Sequence, residues 1–311
     1  VNRREFLGTS VGFAGAALLP GYVKARRVLP LPPDFMPDPT PGRINNLKQT
    51  VRFGLLTDLH YADIPASGTR IYRDSYQKAI DCITVSNELK VDFVIETGDF
   101  KDQGSDAAAT LSYLQTIEAE IQKFDGPTYH VLGNHDADNI SKTQFLAKVR
   151  NTDIPPDKKF YSFDKNGVHF VVLDANYRSD GADYDSGNFD WTDANIPKNQ
   201  LDWIAADLAS AKGPAIVFVH QLLDGIGSPY VKNAAAVRTV LENSGKVAAV
   251  FQGHHHAGSY KLINGIHYYT LKAMVERAYP ANNAFAIVEI VPGRKIIVDG
   301  YINVDDHEFI L

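Results

Sequence analysis

The sequence has a single cysteine, Cys82, in 311 residues. That excludes an intrachain disulfide, so stability must come from a packed core. Cys82 stands beside Ile80 and Ile83 in a stretch of helical periodicity, a setting that suits a small buried apolar side chain rather than a reactive thiol. No apolar run is long enough to cross a bilayer comfortably, and no segment repeats along the chain. Runs of Lys and Arg are missing as well, and the formal net charge is −6 at pH 7. Broad contact with a nucleic-acid backbone needs a basic face, so no nucleic-acid partner is expected. A small anionic substrate remains open, because bound metal ions can invert the local field. What is present is ordinary globular composition.

The first 25 residues read as a processed targeting segment. Arg3 and Arg4 precede Phe6-Leu7 and a small, mildly apolar stretch. Val23-Lys24-Ala25 then offers a small-x-small cleavage site. The arginine pair resembles a twin-arginine signal. That resemblance implies the twin-arginine export machinery as a partner and a periplasmic or secreted destination. It also implies no stable membrane span after cleavage; an uncleaved, membrane-anchoring N-terminus is the alternative. Residues 26–48 follow with six prolines (Pro30, Pro32, Pro33, Pro37, Pro39 and Pro41) and read as an extended linker. Residues 49–311 are left as the folded domain.

Within that domain, apolar runs over 51–57, 91–97, 128–132, 215–219 and 247–252 predict buried strands. Residues 70–89, 107–124, 198–211 and 234–243 have helical periodicity. Residues 160–163 and 169–173 read as a hairpin pair. The stretches 258–263, 266–271, 284–290 and 295–303 add mainly strands. Strands alternating with helices predict an α/β sheet, and the strand-rich tail predicts a second sheet. Five of the strands end in an Asp, Asn or His: Asp58, Asp99, Asn134, His220 and His254. In open α/β sheets ligands bind at the carboxyl ends of the strands. Folding requirements alone do not explain why separate strands should all deliver such side chains there. In His254-x-His256, extended backbone would place both imidazoles on one face.

In order, the blocks are Asp58-x-His60, Gly98-Asp99-x-x-Asp102, Gly133-Asn134-His135-Asp136, His220 and Gly253-His254-x-His256. The set resembles the signature of the calcineurin-like metallophosphoesterases over roughly residues 51–275. The resemblance implies a four-layer α/β/β/α sandwich of two mixed sheets flanked by helices. It implies a hydrolase of phosphate esters or anhydrides in which a metal-bridging hydroxide attacks phosphorus. Two divalent or mixed-valence ions such as Mn, Fe or Zn would be bound. Asp58, His60 and His256 would hold one ion. Asn134, His220 and His254 would hold the other, with Asp99 bridging. His135 would contact the phosphate and protonate the leaving group, with Asp136 orienting it. Asp102 is expected to support the site from behind, and His255 to point away from it.

Stretches outside those blocks narrow the resemblance. They include residues 53–63, Arg70-Ile71-Tyr72-Arg73, Phe160-Tyr161-Ser162-Phe163, Gln200-Leu201-Asp202-Trp203 and Asn283-Ala284-Phe285. These are similar to the manganese-dependent ADP-ribose/CDP-alcohol diphosphatases, whose vertebrate members carry Gln where this chain has His60. The implied substrate is a small phosphorylated molecule, in that branch a nucleotide derivative. Arg70 and Arg73 are placed to reach a second phosphate. An extracytoplasmic phosphomonoesterase, a cyclic-nucleotide phosphodiesterase and a non-catalytic scaffold are the alternatives.

Overall fold

The computed structural model describes residues 50–311. The signal-like segment 1–25 and the proline-rich segment 26–48 lie outside the described residues.

Side-chain alternation within the strands decides the layering. In Val51–Leu56 (β1), Val51, Phe53 and Leu55 enter one core while Leu56 enters another. Phe93–Glu96 (β2) repeats this, with Phe93 and Ile95 on the first side and Val94 on the second. Both faces are covered, which is why these strands read as unbroken apolar runs.

Thr128–His130 (β3) lies parallel to β2, and β2 lies parallel to β1. Ala284–Val291 (β10), Lys295–Ile302 (β11) and His307–Ile310 (β12) extend the other side of β1 as antiparallel neighbours, giving the order β12-β11-β10-β1-β2-β3. The second sheet also has six strands. Its parallel centre is Val168–Val172 (β5), Ala215–Val219 (β6), Val247–Gln252 (β7) and Ile266–Thr270 (β9). Tyr161–Lys165 (β4) and Ser259–Ile263 (β8) are its antiparallel edges.

Between the sheets, Phe53 stacks on Phe93 at 4.9 Å and meets Phe218 and Phe251 edge-on. Truncating such a buried ring to alanine costs about 3–5 kcal/mol. On the outer face of the first sheet lie Asp74–Glu88 (α1) and Ala107–Ile121 (α2), packing Ala79, Ile83, Leu114 and Ile117 against Leu56 and Val94. Lys198–Ser210 (α4) and Ala234–Ser244 (α5) cover the second sheet through Ile204, Leu208, Val237 and Leu241. The result is the expected four-layer α/β/β/α sandwich. Cys82 is fully buried on the inner face of α1, and burial pushes its thiol up to about 12, so it is chemically quiet.

Three local differences from the sequence reading have tertiary causes. The helix expected from residue 70 begins at Asp74. The Ile71 amide is instead drawn to Val275 O at 3.0 Å, and Arg70 pairs with Ser67 and Glu276 as isolated bridges. A short helix, Lys142–Leu146 (α3), opens on a reciprocal capping pair between Ser141 and Gln144 that the sequence reading passed over. The strand β12 was also missed, because only Phe309 of its four residues is buried.

Candidate metal centre

The parallel strands of each sheet end on a common edge, and the side chains singled out from the sequence meet there. Asp58 and His60 follow β1, Asp99 follows β2, and Asn134 follows β3 at the start of the short 3-10 helix His135–Ala137. From the second sheet, His220 follows β6, and His254 and His256 follow β7.

Backbone and packing are under tension at this edge. Asp58, His60, Asp99 and His254 adopt positive φ (50°, 44°, 56° and 67°), a left-handed conformation unusual outside glycine. Each such residue costs about 1–3 kcal/mol and persists only where its surroundings overdetermine it. Two glycines preceding site residues are needed for close approach. A Cβ on Gly98 (φ +97°) would lie 2.5 Å from His220 Nδ1, and one on Gly133 would lie 2.1 Å from the Asp99 amide nitrogen. The Gly-Asp and Gly-Asn pairs of the sequence are therefore packing requirements of the site itself.

Two groups of potential ligand atoms hold the assigned ligands, each within 4.8 Å: Asp58 with His60 and His256, and Asp99 with His220 and His254; a third, His60 with Asp102 and His135, overlaps the first. Asp99 joins the first two. Its Oδ2 is 3.2 Å from His220 Nε2 and 3.5 Å from His60 Nε2. His256 Nε2 lies 3.5 Å from Asp58 Oδ1. Asn134 Oδ1, His60 Nε2 and His220 Nε2 are buried with no hydrogen-bond partner. Orphaned buried polar atoms are rare, and two cations, one beside His60 and one between Asn134 and His220, would satisfy them.

The far side of each ring explains why Nε2 faces inward. His60 Nδ1 donates to Asp102 at 3.2 Å, His220 Nδ1 to the Thr97 carbonyl at 2.9 Å, and His256 Nδ1 to Glu276 at 2.6 Å. These partners only accept, so Nδ1 carries a proton in each ring and Nε2 is the nitrogen turned to the centre. The donor set of carboxylate, amide oxygen and imidazole suits divalent transition metals.

Electrostatics follow from the crowding. Burial alone would lower His220, but Asp99 outweighs it and lifts the imidazole to about 10. Burial raises Asp99 in turn, yet His220 and His135 outweigh that and hold its carboxyl well below the usual range. Burial, reinforced by His220, depresses His254 to about 4. His60 is also lowered, burial prevailing over Asp102 and Asp99. For Asp102, the hydrogen bond and charge of His60 overcome burial and hold the carboxyl at about 2.

His135 rims the site, with its side chain about a quarter exposed and its ring 4.7 Å from that of His60. Its backbone is clamped on both sides: the amide donates to Asp99 Oδ1 at 2.8 Å, and Lys101 Nζ donates to the carbonyl at 2.5 Å. Asp136 does not orient the His135 ring as expected. Its carboxylate accepts from the amides of Gly133 (2.8 Å), Phe100 (3.0 Å) and Asp99 (3.1 Å). It is fully buried, clips two loops together and has no reach into the open site. Burial, with Glu96 and Asp99 nearby, pushes its carboxyl well up. The carboxylate beside His135 Nδ1 is Asp102, at 3.8 Å.

His255 is exposed and joins neither group. Arg73 donates to Asp63 at 2.5 Å on the exposed surface, while Arg70 is tied through its backbone to Glu276. Glu276 and the Thr97 carbonyl escaped the sequence reading. Nothing in the local pattern marks either one, because each meets its histidine only through the fold.

The family profile described as calcineurin-like phosphoesterase matches residues 51–258. A manganese-dependent ADP-ribose/CDP-alcohol diphosphatase of Oryza sativa subsp. japonica is 27% identical over 301 residues, covering 79% of this chain and 90% of the relative. One of the same name from Arabidopsis thaliana is 25% identical over 305 residues, covering 79% and 93%. Among solved structures, a dimetal phosphatase from Danio rerio superposes with a TM-score of 0.72 at 21% identity, covering 84% of this chain and 98% of that one.

Proposed function

The chain belongs to the calcineurin-like phosphoesterase family, and from that premise we propose that it is a manganese-dependent diphosphatase of nucleoside-diphosphate-linked substrates. The coarser statement, a metal-dependent hydrolase of phosphate esters or anhydrides, follows from family membership. The names of the plant relatives, matched over 79% of the chain, support the finer one. The observation that carries the chemistry is the pair of ligand groups sharing Asp99, with their free imidazole nitrogens turned inward.

On this reading Asp58, His60 and His256 would hold one ion, Asn134, His220 and His254 the other, and Asp99 both. When bound, the ions would act as Lewis acids on phosphoryl oxygens and supply a nucleophilic water at neutral pH. The chain's own residues do the rest. Asp102 and the Thr97 carbonyl keep His60 and His220 in register, and Asp136 holds the Asp99 and Gly133 loops together. His135, fixed through its backbone at the rim, is the group placed to give a proton to the leaving oxygen. Nδ1 is turned towards Asp102, which leaves Nε2 to donate. The twin-arginine-like start extends the proposal to an exported enzyme acting outside the cytoplasm.

The test is a hydrolysis panel with Mn, Zn, Fe, Co and Mg supplied in turn. ADP-ribose and CDP-choline should be preferred over p-nitrophenyl phosphate, bis-p-nitrophenyl phosphate and cyclic AMP, with highest turnover in Mn. A preference for the simple monoester would instead make this a phosphomonoesterase.

A further inference from the structure

His256 is anchored differently from the other histidines of the centre. His60 is held by Asp102, three residues beyond Asp99 and within one of the sequence blocks. His256 is held by Glu276, 20 residues further along and outside every block. The carboxylate Oε1 accepts from His256 Nδ1 at 2.6 Å. Burial would push Glu276 up, but its bonds to His256 and Thr69 and the charge of Arg70 keep it below its ordinary value.

The backbone beneath Glu276 is fastened on every side. The Met274 amide donates to Thr57 O at 3.1 Å and the Val275 amide to Asp58 O at 3.0 Å. The Ile71 amide donates to Val275 O at 3.0 Å, and the Arg277 amide to Thr69 O at 2.6 Å. From α1, the fully buried Lys78 sends its ammonium to the carbonyls of Met274 (2.8 Å), Glu276 (3.0 Å) and Arg277 (2.6 Å). Glu276 therefore rides on a segment bonded to the backbone of Asp58 itself. The spacing between this carboxylate and the Asp58–His60 pair is set by main-chain bonds, and the His256 ring is held in between.

We propose that Glu276 is a positioning residue of the metal centre. It holds the Nδ1 proton of His256, turns Nε2 to the ion position beside Asp58, and so sets the ion affinity of that half of the site. The proposal rests on the ligand assignment made above. A charged acceptor behind an imidazole makes it a stronger donor than a neutral one does, and loss of such a partner typically weakens metal binding about 10–100-fold. Glutamine at 276 can still accept the Nδ1 proton but brings no charge, whereas alanine removes both.

Calorimetric titration of Mn into the full chain, with Glu276→Gln and Glu276→Ala alongside, tests this. The wild type should bind two ions. Alanine should weaken one of them about 10–100-fold and leave the other unchanged. Glutamine should fall between alanine and wild type, and its near-identical shape keeps the test usable if the alanine variant fails to fold. The paramagnetic resonance signal of the Mn pair should give way to that of a single ion at sub-saturating Mn in the alanine variant. A role confined to holding the loop would move thermal stability without shifting one ion selectively. If the wild type binds two ions and both variants keep both affinities, the proposal alone is overturned. If the wild type binds no Mn, the ligand assignment falls and takes the proposal with it.

Discussion

The two halves of the candidate centre share residue types but are braced by different chemistry. Around Asp58, His60 and His256 the outer imidazole nitrogens meet carboxylates, Asp102 and Glu276. Around His220 and His254 the bond behind His220 goes to a main-chain carbonyl, that of Thr97. The first half gathers three carboxylates besides the shared Asp99. The second has the neutral Asn134, and its anionic charge comes from Asp99. Its His220 is lifted to about 10 by that shared group, whereas burial lowers His60. The contrast implies that the first half takes up a divalent cation readily, while the second must first release a proton. One carboxylate, Asp99, couples them.

The largest break in this comparison is Asp99→Ala, which removes the group common to both halves. Both ions and all turnover should be lost together, read by elemental analysis beside the hydrolysis assay. Two ions retained per chain would show that Asp99 is no bridge. Next is His135→Ala, which removes a ring packed beside His60 but none of the assigned ligands. It should keep both ions and lose rate by about 10²–10⁴-fold, the usual contribution of a proton donor. Lost metal would make His135 a ligand instead.

Asp102→Asn sharpens the contrast by striking one half. Manganese affinity of the Asp58–His60–His256 position should weaken about 10–100-fold while the other position holds. Equal weakening of both would mean that the bracing is shared. The smallest effect per step is in pH. The His220 pKa is raised above its free value, so in the absence of an ion the second half keeps its proton at any pH below about 10. Binding must expel that proton, so affinity there should fall about tenfold for each unit of acidification. His254, depressed to about 4, adds no slope above that pH. Titration calorimetry in buffers of different ionisation enthalpy would count about one proton released near pH 7, and a count of zero would remove the asymmetry.

Much of this centre could be read from single positions. The Gly98-Asp99 and Gly133-Asn134 pairs mark sharp departures from strands, and His254-x-His256 states its own spacing. The four-layer sandwich was legible for a related reason: strands buried on both faces read as continuous apolar runs, and the flanking helices show their own period. The role of Asp136 was misread because adjacency in sequence to His135 suggested a contact. The 3-10 turn His135–Ala137 sends the two side chains apart, one to the rim and the other to three buried amides.

The sequence by itself determined which side chains could serve as donors and at which strand ends they stand. Short-range rules cover both, the chemistry of each residue type and the periodicity of the backbone around it. Only the tertiary structure decided which group stands behind each histidine. Thr97 reaches His220 across 123 positions and Glu276 reaches His256 across 20, and Lys78 secures Glu276 from 198 positions away. Contacts of that range arise when two sheets pack face to face and helices close over them, and no local pattern along the chain encodes them.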